Sequence, residues 1–343
     1  MALMASVTGL SVGVGLTNAC DLACAHCYRE TERIDQLTPA QVEGICDSLP
    51  VRSINLGTGE NGLHPDYAAI VQTLRERGVR LSLTSNGFTI DRSSDDTLRS
   101  FNEVEVSIDF PTEAEQDAFR GRGNWARVVA GVERLTRLGV TVTVLSVMMK
   151  TNFRRLSEIA KVAFGLGANY RVNVYQPVKT DAFTLTYEEF WEGFRRLLSA
   201  TRLVSTSEPI LNAMLGAPFR EGTGCGRRTV RVSPRGDIIP CVYWGHSDVR
   251  LEDLRALGAA GVLDSAQFAR VRTIPEVCRS CAFVDTCQGG CAGRRELGGG
   301  IDRPDPYCPL VRGETVDLEW APADRRELLK TGSACTTVLA PRS

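Results

Sequence analysis

Three thiols crowd into eight residues near the start of the chain: Cys20-Asp-Leu-Ala-Cys24-Ala-His-Cys27, followed at once by Tyr28. Spacings of four and three let such thiols bend round one face of a small iron–sulfur cluster. A structural zinc site or a fully protein-ligated cluster needs a fourth donor, and nearby only His26 could supply one. A missing fourth ligand leaves one iron open to something that is not protein. A second group, Cys225, Cys241, Cys278, Cys281, Cys287, Cys291 and Cys308, lies among glycines and prolines with little periodic hydrophobicity. A module of that composition cannot rest on a conventional core and needs metal or disulfide staples.

Composition narrows the setting. At 343 residues the chain can form one large or two medium domains. A net charge of −1 leaves no basic footprint for nucleic acid and no polybasic patch for a membrane surface. No apolar run approaches the ~18 residues of a membrane span, and the first ten residues lack the charged and apolar regions of a signal peptide. Twelve cysteines without an export signal argue for metal ligation in a reducing cytoplasm. Ten of them fall in the two groups, which leaves Cys46 and Cys335 as singles.

The elements around the first group alternate. Residues 7–17 read as a strand feeding the cysteine loop, and 39–49 as a helix capped by Thr38. Strands at 52–56, 79–84, 104–108, 140–148 and 170–175 are separated by helices at 66–77, 98–101, 125–138 and 156–165. Such alternation predicts an α/β fold with a parallel sheet, open or closed into a partial barrel, with function at the carboxyl ends of the strands. At those ends fall Gly57-Thr58-Gly59-Glu60, Ser85-Asn86-Gly87, Ser107-Ile108-Asp109 and Gln176-Pro177. The aromatics Tyr187, Phe190, Trp191 and Phe194 of a helical stretch at 184–202 read as core packing, and composition shifts at 205–209.

Together these motifs resemble the radical S-adenosylmethionine (SAM) superfamily, whose C-x3-C-x2-C loop holds a [4Fe–4S] cluster with the fourth iron chelated by the amine and carboxylate of SAM. The resemblance implies a partial (β/α)6 barrel over residues 1–204, with Cys20, Cys24 and Cys27 as metal ligands. It implies SAM contacts from Gly57, Thr58, Gly59 and Glu60, where the Glu pairs with the amino group, from Ser85 and Asn86, and from Ser107 and Asp109 at the ribose. Asn61 stands where the family usually has Pro. The C-x2-C-x5-C-x3-C run resembles the SPASM domain of a subset of these enzymes, expected here over 205–320 and followed by a partly ordered tail at 321–343. Carried over, Cys278, Cys281, Cys287 and Cys308 would ligate an outer auxiliary [4Fe–4S] cluster, and Cys225, Cys241 and Cys291 an inner one whose fourth ligand is open. The cofactors implied are SAM and three [4Fe–4S] clusters.

In this family one electron cleaves SAM to a 5′-deoxyadenosyl radical, which takes hydrogen from an unactivated C–H bond. The expected activity is an oxidoreductase that passes the substrate's electron to an auxiliary cluster, fed by a donor such as flavodoxin or ferredoxin. Sulfatase-maturing relatives carry an Asp where Val242 stands, so that proton acceptor is not transferred; Tyr243 is the nearest polar candidate. Cys335 is the candidate hydrogen donor to a substrate radical. The preferred substrate is a small molecule such as an aminocyclitol or sugar alcohol, because no leader-recognition domain precedes the loop and GTGEN replaces the GGEP of peptide cross-linkers. The alternative is a ribosomally made peptide presented by a separate recognition protein.

Overall fold

A computed structural model describes residues 9–216, 224–245, 247–324 and 335–342. Ten strands form one sheet: β1 Leu10–Val14, β2 Val51–Leu56, β3 Arg80–Ser85, β4 Glu103–Ser107, β5 Thr141–Met148, β6 Asn169–Val174, β7 Thr201–Thr206, β8 Thr229–Val232, β9 Ile238–Ile239 and β10 Thr337–Pro341. Their order is β7-β10-β6-β5-β4-β3-β2-β1-β8-β9, with β1 to β6 parallel neighbours throughout. Among the described residues the two ends of this order do not pair with each other, so the sheet is the open form of the expected barrel.

Each strand alternates, and the register aligns the alternation across the sheet. Ser11 pairs with Ser53, Asn55 with Ser82, Thr84 with Glu105 and Glu105 with Thr143, while Gly13 sits opposite Arg231 of β8. One face is therefore polar and lines the interior. The other, with Val12, Ile54, Leu83, Val104, Val144 and Val172, is buried under the helices. Period two is the spacing that puts every second side chain on one face.

The helices start where their caps allow. Thr38 and Gln41 form a capping box at helix Pro39–Ser48, and Thr186 and Glu189 do the same for Tyr187–Ala200, each cap stabilising by ~1 kcal/mol. Helix Tyr187–Ala200 buries Phe190, Trp191 and Phe194 as core. The helical stretch expected to run to 202 stops two residues earlier. There Thr201 bonds back to the Leu197 carbonyl at 2.7 Å and opens the β-branched run of β7.

The two halves of the chain share this sheet. β8 pairs parallel with β1, and β10 inserts antiparallel between β6 and β7. The stretch at 337–341 is thus ordered strand, although a tail was expected there. Most of the helix-like run at 322–329 lies outside the described residues.

Candidate active site: a cavity between two thiol groups

The turn after β2 is built to touch the cysteine loop. Gly59 has φ +63°, and a Cβ there would stand 2.5 Å from the carbonyl oxygens of Thr17 and Ala19. Glycine alone permits that approach, and the Glu60 amide uses it to reach the Ala19 carbonyl at 2.7 Å. Thr58 also has positive φ, at 78°, which is costly for a β-branched residue. It is held by Tyr28, whose hydroxyl lies 3.0 Å from Thr58 Oγ1, and by the Arg231 guanidinium, which donates to Thr58 Oγ1 and, at 2.9 Å, to the Gly57 carbonyl.

Glu60 is buried, and burial raises its pKa above the ordinary carboxylate value against the pull of its donors. Those donors are Ser85 Oγ, the Asn86 amide at 2.9 Å and the Thr89 amide at 2.8 Å. The carboxylate expected to pair with an amino group thus first joins the β2 turn to the β3 turn, while still bordering the cavity. Asn86 continues the link: its side-chain Nδ2 donates to Cys20 Sγ at 3.5 Å and to Asp21 Oδ1 at 2.8 Å. Asn61, the departure from the family's Pro, is buried and accepts from the Leu16 amide at 3.2 Å. That contact ties the turn to the segment leading from β1 into the cysteine loop.

Asp109 lies elsewhere. Its carboxylate accepts from Arg120 at 2.6 and 2.8 Å and from the Val147 amide at 2.9 Å, with His26 at 3.7 Å. It is fully buried behind the site, while Ser107 and Arg120 border the cavity. His26 stacks on Phe119 at 4.9 Å, and burial lowers its pKa to about 4. A neutral ring packed between an aromatic and an ion pair positions the loop.

The cavity at the carboxyl ends of the strands has a volume of about 280 Å³. Cys20, Cys24, Cys27, Cys225 and Cys335 all border it, as do Tyr28 and Tyr243, whose rings meet edge to face at 5.8 Å. Gly57, Thr58, Gly59, Ser85, Asn86 and Gln176 also line it. Sequence reasoning missed the polar floor, where Asn55 donates to Thr84, Thr84 to Glu105 at 2.7 Å and Arg171 to Glu105. Strict alternation in RLSLTS, EVEVS and NYRVNV is the signal that would have found it.

A second cavity, of about 100 Å³, is bordered by all four of Cys278, Cys281, Cys287 and Cys308. Burial raises the pKa of Cys20 to about 11 and of Cys287 to about 12, so these thiols stay protonated unless a cation holds the thiolate. Among the described residues, no three Cys, His, Asp or Glu groups stand as a ready single-ion site. The donor sets are all-thiol, the preference of iron–sulfur clusters, and on that ground they fit.

A parallel α/β sheet, a three-thiol loop leaving its first strand and a cavity over the strand ends define a radical SAM enzyme. Residues 14–163 match the Radical SAM superfamily. Over 338 residues it is 28% identical to the mycofactocin maturase MftC of Mycolicibacterium smegmatis, covering 92% of this chain and 84% of that protein. With the PqqA peptide cyclase of Gluconobacter oxydans it shares 25% identity over 331 residues, covering 88% and 90%. Its fold is similar to that of anSMEcpe, solved with bound AdoMet, at a TM-score of 0.69 and 16% identity, covering 88% of this chain and 94% of that one. No helix among the described residues is long and apolar enough to cross a membrane.

Proposed function

We propose that this enzyme matures a peptide, oxidising it through a C-terminal auxiliary cluster. The observation that carries the reading is that one cavity is bordered both by Cys20, Cys24 and Cys27 and by Cys225 and Cys335. A substrate held there faces the SAM loop and an electron acceptor together. The peptide class is supported by the relatives, one named a maturase and one a peptide cyclase. This replaces the small-molecule preference, which the relatives named as a maturase and a peptide cyclase do not support.

Cys20, Cys24 and Cys27 would hold the SAM cluster, and the outer and inner thiol groups the auxiliary ones. The chemistry SAM supplies when bound is removal of hydrogen from an unactivated C–H bond. The chain's part is to bind, orient and exclude water. Asn86 donates to Cys20 Sγ and so steadies one ligand, while the Thr58 turn, pinned by Tyr28 and Arg231, shapes the wall beside it. Tyr243 lines the cavity edge to face with Tyr28, and burial raises its pKa well above the ordinary phenol value, so it stays a neutral donor. A flavodoxin or ferredoxin would supply the electron.

The test is an anaerobic reaction with SAM, reductant and either a panel of synthetic precursor peptides or a panel of aminocyclitols. Peptide-stimulated 5′-deoxyadenosine and a peptide lighter by two hydrogens are expected. Stimulation by an aminocyclitol alone would refute the peptide reading.

A further inference from the structure

The inner group of Cys225, Cys241 and Cys291 lacks a fourth thiol in the expected spacing, and the residues just after Cys225 contain none. The chain supplies one from more than 40 positions beyond Cys291. Cys335 immediately precedes β10, and the backbone there is pinned twice. The Ser207 amide donates to the Thr336 carbonyl at 2.8 Å and the Thr336 amide to Ser207 Oγ at 3.0 Å, while Thr337 and Thr206 hydroxyls meet at 2.9 Å. Held so, the Cys335 thiol lies against those of Cys225 and Cys291 and borders the same cavity as Cys225, while Cys225 packs against Cys241. Four segments therefore bring four thiols together: the turn before β8, the residues after β9, the N-cap of helix Ala292–Leu297 and the entry to β10.

We propose that Cys335 is the fourth protein ligand of the inner auxiliary cluster, completing the set with Cys225, Cys241 and Cys291. The assignment rests on the auxiliary-cluster reading above. It makes the inner cluster fully thiolate-ligated, so its role is to take an electron across the cavity rather than to bind substrate at an open iron. It also removes Cys335 as a hydrogen donor, since a ligating sulfur carries no hydrogen to give. The strand that delivers the ligand pairs with both β6 and β7, so loading the cluster fastens the last described strand to the barrel.

The test starts from full-length protein with Cys20, Cys24 and Cys27 replaced by Ala, reconstituted anaerobically to about eight irons, four for each auxiliary cluster. In this background 13C-cyanide should give no carbon hyperfine coupling on either reduced cluster. Cys335→Ala should gain that coupling at an opened iron or lose about four irons. Cys335→Ser should keep its iron with the inner potential shifted to more negative values, an effect that mere loss of packing does not produce. If Cys335→Ala keeps its iron, its potential and its closed iron, or if the background already binds cyanide at the inner cluster, Cys335 is not the ligand. A background holding about four irons or none would overturn the auxiliary-cluster reading itself, and the ligand with it.

Discussion

Arg294 ties the cysteine-rich segment to the barrel, and Arg294→Met measures how much that tie contributes. Its guanidinium reaches Glu208 at 2.7 Å and Asp305 at 2.6 Å, over the Tyr307 ring at 4.7 Å, with all three charged groups almost wholly buried. Asp305 in turn accepts from the Cys291 amide at 2.8 Å and the Tyr307 amide at 3.0 Å. Trp191 of the long barrel helix donates to the Tyr307 carbonyl at 3.1 Å. Removing one partner of a buried ion pair costs about 3–5 kcal/mol, because the remaining charge is left uncompensated. Here two carboxylates lose one cation, and Met restores the volume but not the charge, so the upper part of that range is expected. The sign with pH follows from Glu208. Burial already raises its pKa against the pull of Arg294, and losing Arg294 raises it further. A carboxyl whose folded pKa lies above its unfolded one penalises the fold at high pH, and the penalty shrinks as pH falls through the folded value. Guanidinium chloride unfolding under argon, followed by tryptophan fluorescence, should show the largest deficit near pH 8 and a smaller one near pH 5.5. Iron counted in parallel should fall at the C-terminal sites, since Cys291 and Cys308 flank the broken triad. A deficit under about 1 kcal/mol with full iron, or one that widens in acid, would refute this account of the triad.

Replacing Cys20, Cys24 and Cys27 by Ala should abolish 5′-deoxyadenosine formation while leaving about eight of about twelve irons; nucleoside formed at the parent rate would exclude this loop as the SAM site. Glu60→Gln should lower stability by about 1–3 kcal/mol and weaken SAM binding, read by calorimetry. The backbone amides of Asn86 and Thr89 donate to opposite oxygens of Glu60, so either orientation of the new amide faces a donor with a donor. Gly59→Ala should cost about 1–2 kcal/mol from its left-handed φ alone, and more because the loop carbonyls stand where the Cβ would go. Its expected signature is a lower unfolding temperature together with iron lost from the first cluster; an unchanged iron count would show that the turn does not shape the loop.

Chemistry here was legible where it depends on residues close in sequence. The three thiols of the first loop, the C-x2-C-x5-C-x3-C run and the strand-end turns are local patterns, and alternation of strands and helices announced the parallel sheet. Tertiary structure decided what depends on pairing across distance. Asp109, at a strand end like the other motifs, is turned into an ion pair with Arg120, because an uncompensated carboxylate cannot remain buried there. Glu60 joins two turns, since the donors that satisfy it come from the next strand. The polar floor exists because register stacks every second residue of neighbouring strands on one face. Cys335 looked like a lone thiol in a small-residue tail. Its place among the inner thiols depends on β10 entering the sheet between β6 and β7, a pairing written in backbone hydrogen bonds and in no spacing of cysteines.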